Sequence, residues 1–196
     1  PARERESMRA LIRSELTAIE PLDALEHVHL CDALAWLDSG AELCRVARPA
    51  TPPKHLVSYV AVVDADRILL VDHRNARLWL PPGGHVEAGE HPRSTVVREL
   101  EEELGLRASH DIDSPLMVTC TTTVGLTAGH TDVSLWYVVH ASDTQALTFD
   151  GTEFESVQWC QFSEIPFERS DPHLRRFIRK LTARRQNPDP AEGMTA

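Results

Sequence analysis

Three glutamates in the middle of the chain, Glu99, Glu102 and Glu103, have the spacing that lets one helix present them on the same face. Residues three and four positions apart are neighbours on a helix surface, about 5–6 Å apart, and like charges at that spacing repel each other. A hard divalent cation would turn this repulsion into coordination, because Mg²⁺ and Mn²⁺ prefer carboxylate oxygens. The spacing therefore predicts a metal site that could hold a phosphate chain and activate a water molecule for attack on phosphorus.

A glycine loop comes before this acidic segment, at residues 81–84, which read Pro-Pro-Gly-Gly. Two prolines fix one side of a turn and two glycines free the other, so that backbone could approach a ligand closely. Arg98 stands directly before the acids, and Glu90 follows the loop. An ion pair between Arg98 and Glu90 would tie the loop to the helix and orient the carboxylates.

The elements that must position these residues follow from apolar periodicity and turn signals. Helical spacing predicts helices over residues 8–20 and 22–39, which would form a hairpin in front of the main domain. The helix with the acids would begin near Pro92 and end at Gly105, and Asp171 and Pro172 would open a last helix over about residues 172–185. Apolar runs predict strands, which cover residues 56–64, 68–72, 116–124, 131–141 and 156–162.

This order of strands and helices predicts an α/β sandwich with a mixed sheet. We divide the chain into a helical extension and proline-rich linker (1–50), a main domain (51–185) and a disordered tail (186–196). The 196 residues, of which 42% are apolar, suffice for one domain with a substantial core. The hairpin could cover a substrate cleft, pad the sheet or form the interface of a homodimer.

Composition indicates which cellular compartment and which classes of binding partner to expect. No apolar run approaches the length of a membrane span, the N-terminus lacks a signal-peptide pattern, and the four cysteines form no close pair. We therefore expect a cytoplasmic protein with reduced thiols that does not bind membranes. The net charge of −10 argues against binding to a nucleic-acid backbone. It permits a small phosphorylated substrate, because a bound metal can invert the local field.

The stretch from Gly84 to Leu106 resembles the Nudix box. That motif reads Gly, five residues, Glu, seven residues, Arg-Glu, an apolar residue, any residue, Glu-Glu, any residue, Gly and an apolar residue. Each fixed position is met, by Gly84, Glu90, Arg98, Glu99, Leu100, Glu102, Glu103, Gly105 and Leu106. The resemblance implies an α/β/α sandwich. It also implies a Mg²⁺- or Mn²⁺-dependent hydrolase of a nucleoside diphosphate linked to another moiety.

The resemblance also implies roles for single residues. Glu99, Glu102 and Glu103 match the metal-binding carboxylates of the box, with Glu99 as ligand or base. The carbonyl group of Gly83 matches a backbone metal ligand. Glu90 and Arg98, whose positions already suggest an ion pair, match the structural ion pair of the box.

Members of the family often use a further acid from the loop before a late strand that ends in Trp. The corresponding loop here contains Glu153 and Glu155. Glu153 is the first choice for an extra ligand or base and Glu155 the second, and both could instead simply face solvent.

Substrate contacts are less constrained. Arg74 and His85 flank or enter the glycine loop and could contact phosphates, and Asp132 could read a base edge or cap a turn. Three aromatic residues could stack on a base or belong to the core, namely Trp79, Trp136 and Tyr137.

The chain lacks the additional motifs of the NADH, ADP-ribose and coenzyme A subfamilies. Elimination favours a MutT-like enzyme acting on a nucleoside triphosphate or an oxidised nucleotide. The alternatives are an ADP-ribose or nucleotide-sugar pyrophosphatase and a non-catalytic nucleotide sensor. An isomerase of prenyl diphosphates would need an additional catalytic cysteine pattern, which the sequence does not show, and Cys120 alone leaves that alternative open.

Overall fold

The computed structural model describes residues 2–47, 51–109, 111–123 and 129–187. Within these ranges the chain forms four α-helices, and these are α1 (Ala2–Thr17), α2 (Ala24–Asp38), α3 (Pro92–Leu104) and α4 (Leu174–Gln186). The strands are β1 (Lys54–Asp64), β2 (Arg67–His73), β3 (Leu78–Leu80), β4 (Gly83–His85), β5 (Met117–Thr122), β6 (Thr131–His140) and β7 (Phe154–Gln161). Of the described helices, none has the length and apolar character needed to cross a bilayer.

The strands form one seven-stranded sheet in the order β3-β2-β1-β6-β5, with β4 pairing to β1 and β7 pairing to β2. Strands β1 and β6 run parallel, whereas the other strand pairs are antiparallel. The mixed sheet that the sequence predicted is therefore confirmed. The parallel register sets His55 of β1 directly beside Asp132 of β6.

Helices cover both faces of the sheet. Side chains alternate along β1, as a strand requires, so that Val60 and Val62 face the layer made by α1, α2 and α3. Ala61 and Val63 face the opposite side, where they share a core with Phe177 of α4. The predicted α/β/α sandwich is confirmed.

The N-terminal hairpin packs into the main core. Ile12, Leu16 and Leu37 are each at most 1% exposed and belong to the same buried cluster as Val60 and Val62. Among the roles considered for the hairpin, padding of the sheet is thus the one that its packing shows. The predicted boundary at residue 50 and most of the predicted tail fall on residues outside the described ranges.

Several element boundaries differ from the predictions. Helix α1 starts at Ala2, since the alanine, arginine and glutamate residues at its start are strong helix formers. Helix α4 starts only at Leu174, because the Asp171 carboxylate accepts a hydrogen bond from the backbone N–H of His173 (2.7 Å) and forms a turn before the helix. The segment from Gly83 to His85 is a short strand, because its backbone pairs with β1.

Candidate active site

Helix α3 carries the acids of the site. It begins with Pro92 in its first turn, where the ring nitrogen of His91 accepts a hydrogen bond from the backbone N–H of Arg93 (3.1 Å). It ends at Gly105, whose φ of 63° is the left-handed conformation that glycine adopts easily. One side of the helix is buried in the core through Val96, Leu100 and Leu104. The carboxylates lie on the side that faces the glycine loop.

Glu99, Glu102 and Glu103 line one open cavity of about 540 Å³ together with Glu153. Glu153 comes from the loop before β7, so the fold brings it to the helix from a distant part of the chain. Residues 83–87 border the same cavity, which places the glycine loop against the acids. Four carboxylates and the backbone of the glycine loop therefore line the same cavity.

Arg98 connects the loop to the acids. Its Nε and Nη2 atoms donate to the two carboxylate oxygens of Glu90, both at 3.0 Å. Its Nη1 atom donates to Glu99 (2.7 Å) and Glu102 (3.3 Å), and Nη2 also donates to the carbonyl oxygen of His85 (3.2 Å). A bidentate arginine–carboxylate pair is strong and directional. The pair with Glu90 therefore fixes the guanidinium of Arg98, which in turn orients the carboxylates of Glu99 and Glu102.

Two glycines let the loop pass close to the helix. A Cβ atom at Gly84 would overlap the carboxylate of Glu99, and one at Gly83 would overlap the backbone carbonyl of Ser58. Gly83 also has a φ of 148°, which side chains disfavour. Its N–H donates to the Glu103 carboxylate (3.1 Å), so the loop both approaches and orients that acid.

Burial and neighbouring negative charge raise the pKa of two of these acids, Glu99 and Glu103. Burial raises the pKa of Glu103 to about 9, and the charges of Glu99 and Glu153 add to the shift while the Gly83 N–H opposes it. Burial likewise raises the pKa of Glu99, against the opposing charge of Arg98. Carboxylates crowded in this way favour a nearby cation. Their oxygens are the donors that hard divalent ions prefer, so these residues fit a Mg²⁺ or Mn²⁺ ion.

Arg74 lies beside the loop that carries Glu153. Its Nε donates to the carbonyl oxygen of Gly151 (2.7 Å), and its guanidinium group pairs with Glu155. The backbone N–H of Arg74 donates to the carbonyl oxygen of Glu153 (3.0 Å). The structure therefore joins Arg74 and Glu155 to each other, while Glu153 faces the carboxylate cavity.

His85 and Asp132 lie in the wall of a second cavity of about 260 Å³, which also reaches Glu103. Asp132 is close to two histidines for which the sequence predicted no role. Its Oδ1 atom is 3.4 Å from Nε2 of His55 and 3.2 Å from Nε2 of His130. A signal was present, since His55 directly precedes one predicted strand and His130 directly precedes another. Only the parallel register of those strands brings the two together.

The segment after α2 also reaches the site. Arg45, Val46 and Ala47 line the carboxylate cavity, and the Cys44 thiol donates to the carbonyl oxygen of Glu87 (3.3 Å). No residue spacing in the sequence pointed to this segment. The N-terminal extension thus contributes part of the cavity wall in addition to padding the sheet.

The aromatic candidates and Cys120 lie elsewhere. Trp136 and Tyr137 are completely buried, and Trp136 stacks on Phe177 with ring centroids 5.0 Å apart, so neither can stack on a substrate base. Trp79 is half-buried and carries the guanidinium of Arg169 over its ring. The thiol of Cys120 faces the carbonyl oxygen of His29 in α2 (3.6 Å), and burial raises its pKa, which makes it a poor nucleophile.

Comparison with known proteins agrees with this geometry. The NUDIX domain family model matches residues 53–181. A MutT-like protein of Streptomyces ambofaciens is 36% identical over 133 residues, which cover 67% of this chain and 80% of the relative. The CTP pyrophosphohydrolase of Escherichia coli (strain K12) is 30% identical over 138 residues, which cover 63% of this chain and 92% of that protein.

Solved structures show the same fold. The crystal structure of a MutT NUDIX hydrolase from Burkholderia pseudomallei superposes with a TM-score of 0.56 at 24% identity, covering 65% of this chain and 98% of that one. Because the family model spans well over half of the chain and includes the glycine loop, α3 and Glu153, the chain belongs to the Nudix family of pyrophosphohydrolases.

Proposed function

We propose that the protein is a divalent-metal-dependent hydrolase that cleaves the pyrophosphate chain of a nucleoside triphosphate, or of an oxidised one, by attack of water on phosphorus. The observation that carries this proposal is the single cavity lined by Glu99, Glu102, Glu103 and Glu153. A Mg²⁺ or Mn²⁺ ion bound there would neutralise phosphate charge and lower the pKa of the attacking water.

The residues of the box would divide the work of holding that ion. Glu99, Glu102 and Glu103 are the proposed carboxylate ligands, and the carbonyl group of Gly83 is the proposed backbone ligand. Arg98 would hold Glu99 and Glu102 in place through the hydrogen bonds described above. Because Arg98 is itself fixed by both oxygens of Glu90, the acids would be oriented before a substrate arrives.

Glu153 is the proposed fourth ligand or general base. Its side chain is half exposed, and its carboxylate is 4.0 Å from Nε2 of His73, so it can reach both solvent and the cavity. A base must come within hydrogen-bond distance of the water that it deprotonates. Arg74 would hold the loop that carries Glu153 in position through its hydrogen bond to Gly151. Direct contact of Arg74 with a phosphate stays a prediction.

The substrate's nucleoside would occupy the 260 Å³ cavity beside the glycine loop. His85 and Asp132 lie in its wall, so both are within reach of a nucleoside bound there. The similarity to a MutT-like protein and to a CTP pyrophosphohydrolase supports a nucleoside triphosphate as the substrate class.

A substrate panel tests the proposal. Purified protein would be incubated with nucleoside triphosphates including CTP, oxidised dGTP, ADP-ribose, NADH and nucleotide sugars, with Mg²⁺ or Mn²⁺, and assayed for phosphate and pyrophosphate. We expect turnover of one or more triphosphates and none in chelator. Preferred turnover of ADP-ribose or a nucleotide sugar would overturn the substrate class. Nucleotide binding without turnover of any compound would favour a sensor.

The role of the box is tested by two neighbouring glutamates. Glu102→Gln removes a proposed ligand, and we expect kcat/KM for the best substrate to fall on the order of 100-fold or more. Glu101→Gln is the matched control, since Glu101 is exposed and pairs only loosely with Arg107 (3.8 Å). It should stay within about twofold of the parent enzyme. Equal activity of the two variants would rule out Glu102 as a ligand.

A further inference from the structure

Three histidines and one aspartate converge at the edge of the 260 Å³ cavity, outside the carboxylate set. His55, His85, His130 and Asp132 each offer one ligand atom, and these atoms all lie within 4.8 Å of one another. The group, here called the histidine cluster, draws on three strands. His55 lies in β1, His85 ends β4, Asp132 lies in β6, and His130 directly precedes β6. The convergence is therefore a product of the fold.

The hydrogen bonds of His55 and His130 fix which nitrogen faces the centre of the cluster. Nδ1 of His55 is 2.8 Å from the carbonyl oxygen of Pro52, which can only accept, so Nδ1 carries the proton. The hydroxyl of Thr123 donates to the carbonyl oxygen of His130 and can therefore accept from Nδ1 of that residue (3.1 Å). With Nδ1 as the donor in both rings, the Nε2 lone pair points inward.

The inward atoms lack hydrogen bonds. Nε2 of His55, Nε2 of His85 and Oδ1 of Asp132 are buried and have no hydrogen-bond partner among the residues that the structure describes. A buried acceptor without a donor is costly. His55 is completely buried, so a water molecule from bulk solvent cannot reach it directly. Imidazole lone pairs and a carboxylate that face one another would be stabilised by a positive centre between them.

The distances suit a metal ion. Two of the ligand pairs, from Asp132 to His55 and to His130, measure 3.4 and 3.2 Å. Ligands of a tetrahedral ion with bonds of about 2.0–2.1 Å lie about 3.4 Å apart. The Nδ1 hydrogen bonds to a backbone carbonyl and a hydroxyl are also the outer contacts that orient metal-binding imidazoles.

We propose that His55, His85, His130 and Asp132 bind a transition-metal ion of the Zn²⁺ class at a site separate from the carboxylates of the box. Imidazole nitrogen suits zinc and its neighbours in the transition series, whereas the all-oxygen set of the box suits Mg²⁺ or Mn²⁺. The ion would join β1, β4 and β6 next to Gly83 and Gly84, and so hold the glycine loop. Arg45 borders the same cavity and opposes a cation, so affinity would come from the imidazole nitrogens.

The test uses the full chain with Glu102 and Glu103 both changed to Gln, so that the box contributes little. Metal-free protein would be titrated with Co²⁺, and binding followed by visible absorption and calorimetry. We expect one equivalent of Co²⁺ with the intense absorption of a four-coordinate nitrogen-containing site. Zn²⁺ should displace it and excess Mg²⁺ should not. Because the experiment measures metal binding and not substrate turnover, its result is independent of the proposed activity.

Three variants in the same background locate the ion. His130→Gln and Asp132→Asn should each weaken Zn²⁺ binding by about 100-fold or more. His140→Gln, at the exposed far end of β6, is the matched control and should leave affinity unchanged. Circular dichroism would establish that each variant is folded, and the two independent ligand changes keep the test valid if one variant fails to fold.

A thermal measurement gives a second readout. Zn²⁺ at 100 times its Kd should raise the Tm of the parent by about 5 °C or more, and should raise that of His130→Gln much less. Absence of bound Co²⁺ and Zn²⁺ would overturn the proposal. So would imidazole NMR signals showing that His55 is protonated against Asp132 and unchanged by Zn²⁺, since the pair would then be a simple ion pair.

Discussion

Glu103 links the chemistry of the site to the stability of the fold. It is 9% exposed, and burial raises its pKa from 4.5 to about 9 in the metal-free protein. The folded protein therefore keeps a proton that the unfolded chain releases as pH rises above 4.5. The free energy of unfolding must fall across that range, because the unfolded state binds fewer protons. A cation in the cavity would favour the carboxylate and oppose this loss.

The Glu103→Gln variant should therefore be more stable than the parent in chelator. Glutamine retains an acceptor for the Gly83 N–H and carries no charge. At about pH 8 we expect the free energy of unfolding to rise by about 1–3 kcal/mol, and its dependence on pH to flatten between about pH 5 and 9. Urea denaturation measures both. Mg²⁺ should stabilise the parent more than the variant, and the reverse order would contradict a metal role for Glu103.

At the scale of single residues, the sequence could predict that two side chains are close only where local helix geometry, and not strand pairing, brings them together. The neighbourhood of Glu99, Glu102 and Glu103 follows from helix geometry alone, since spacing within a helix is fixed. The neighbourhood of His55 and Asp132 depends on which strands pair and in which register. No local pattern encodes a parallel register, so the histidine cluster could not be predicted from the chain.

Among the elements, α2 is a structural part of the fold. Leu37 is completely buried in the cluster that also holds Ile12, Leu16 and Val62. We expect Leu37→Ala to lower the free energy of unfolding by about 2–5 kcal/mol, through lost burial and the cavity that it leaves. Leu25→Ala, on the same helix but 46% exposed, should change it by less than about 0.5 kcal/mol. Similar, small effects of both would show that the hairpin is only loosely attached.

Element prediction succeeded where periodicity is strong and failed where pairing decides. The apolar runs predicted β1, β2 and β6 to within about two residues of their observed bounds. Strand β4 was not predicted, because a segment rich in glycine has little strand preference of its own and is held only by pairing with β1. The late start of α4 has a comparable origin, since a local hydrogen bond of Asp171 competes with the helix.

At the scale of the whole molecule, α2 joins the two helical layers around one edge of the sheet. It packs along β5, the strand at that edge, and its first turn reaches α4 on the far side. There Glu26 pairs with Lys180, and Asp23 pairs with Arg176 (3.0 Å). Glu26 is completely buried and Lys180 is 8% exposed, so the first of these pairs is removed from solvent.

A double-mutant cycle tests whether this buried pair couples the layers. Glu26→Gln leaves Lys180 buried without its charge partner, and Lys180→Met does the same to Glu26. Each change should lower the free energy of unfolding by about 3–5 kcal/mol. The double variant should lose clearly less than the sum, because it leaves no unpaired charge.

The exposed pair between Arg13 and Asp38, whose side chains are 51% and 49% exposed, provides the comparison. Arg13→Ala should have a much smaller effect on the free energy of unfolding, since solvent screens that interaction. If the Glu26 and Lys180 variants instead had small and additive effects in urea denaturation, α2 and α4 would be independent. Their connection around the β5 edge would then contribute nothing to the cooperativity of the fold.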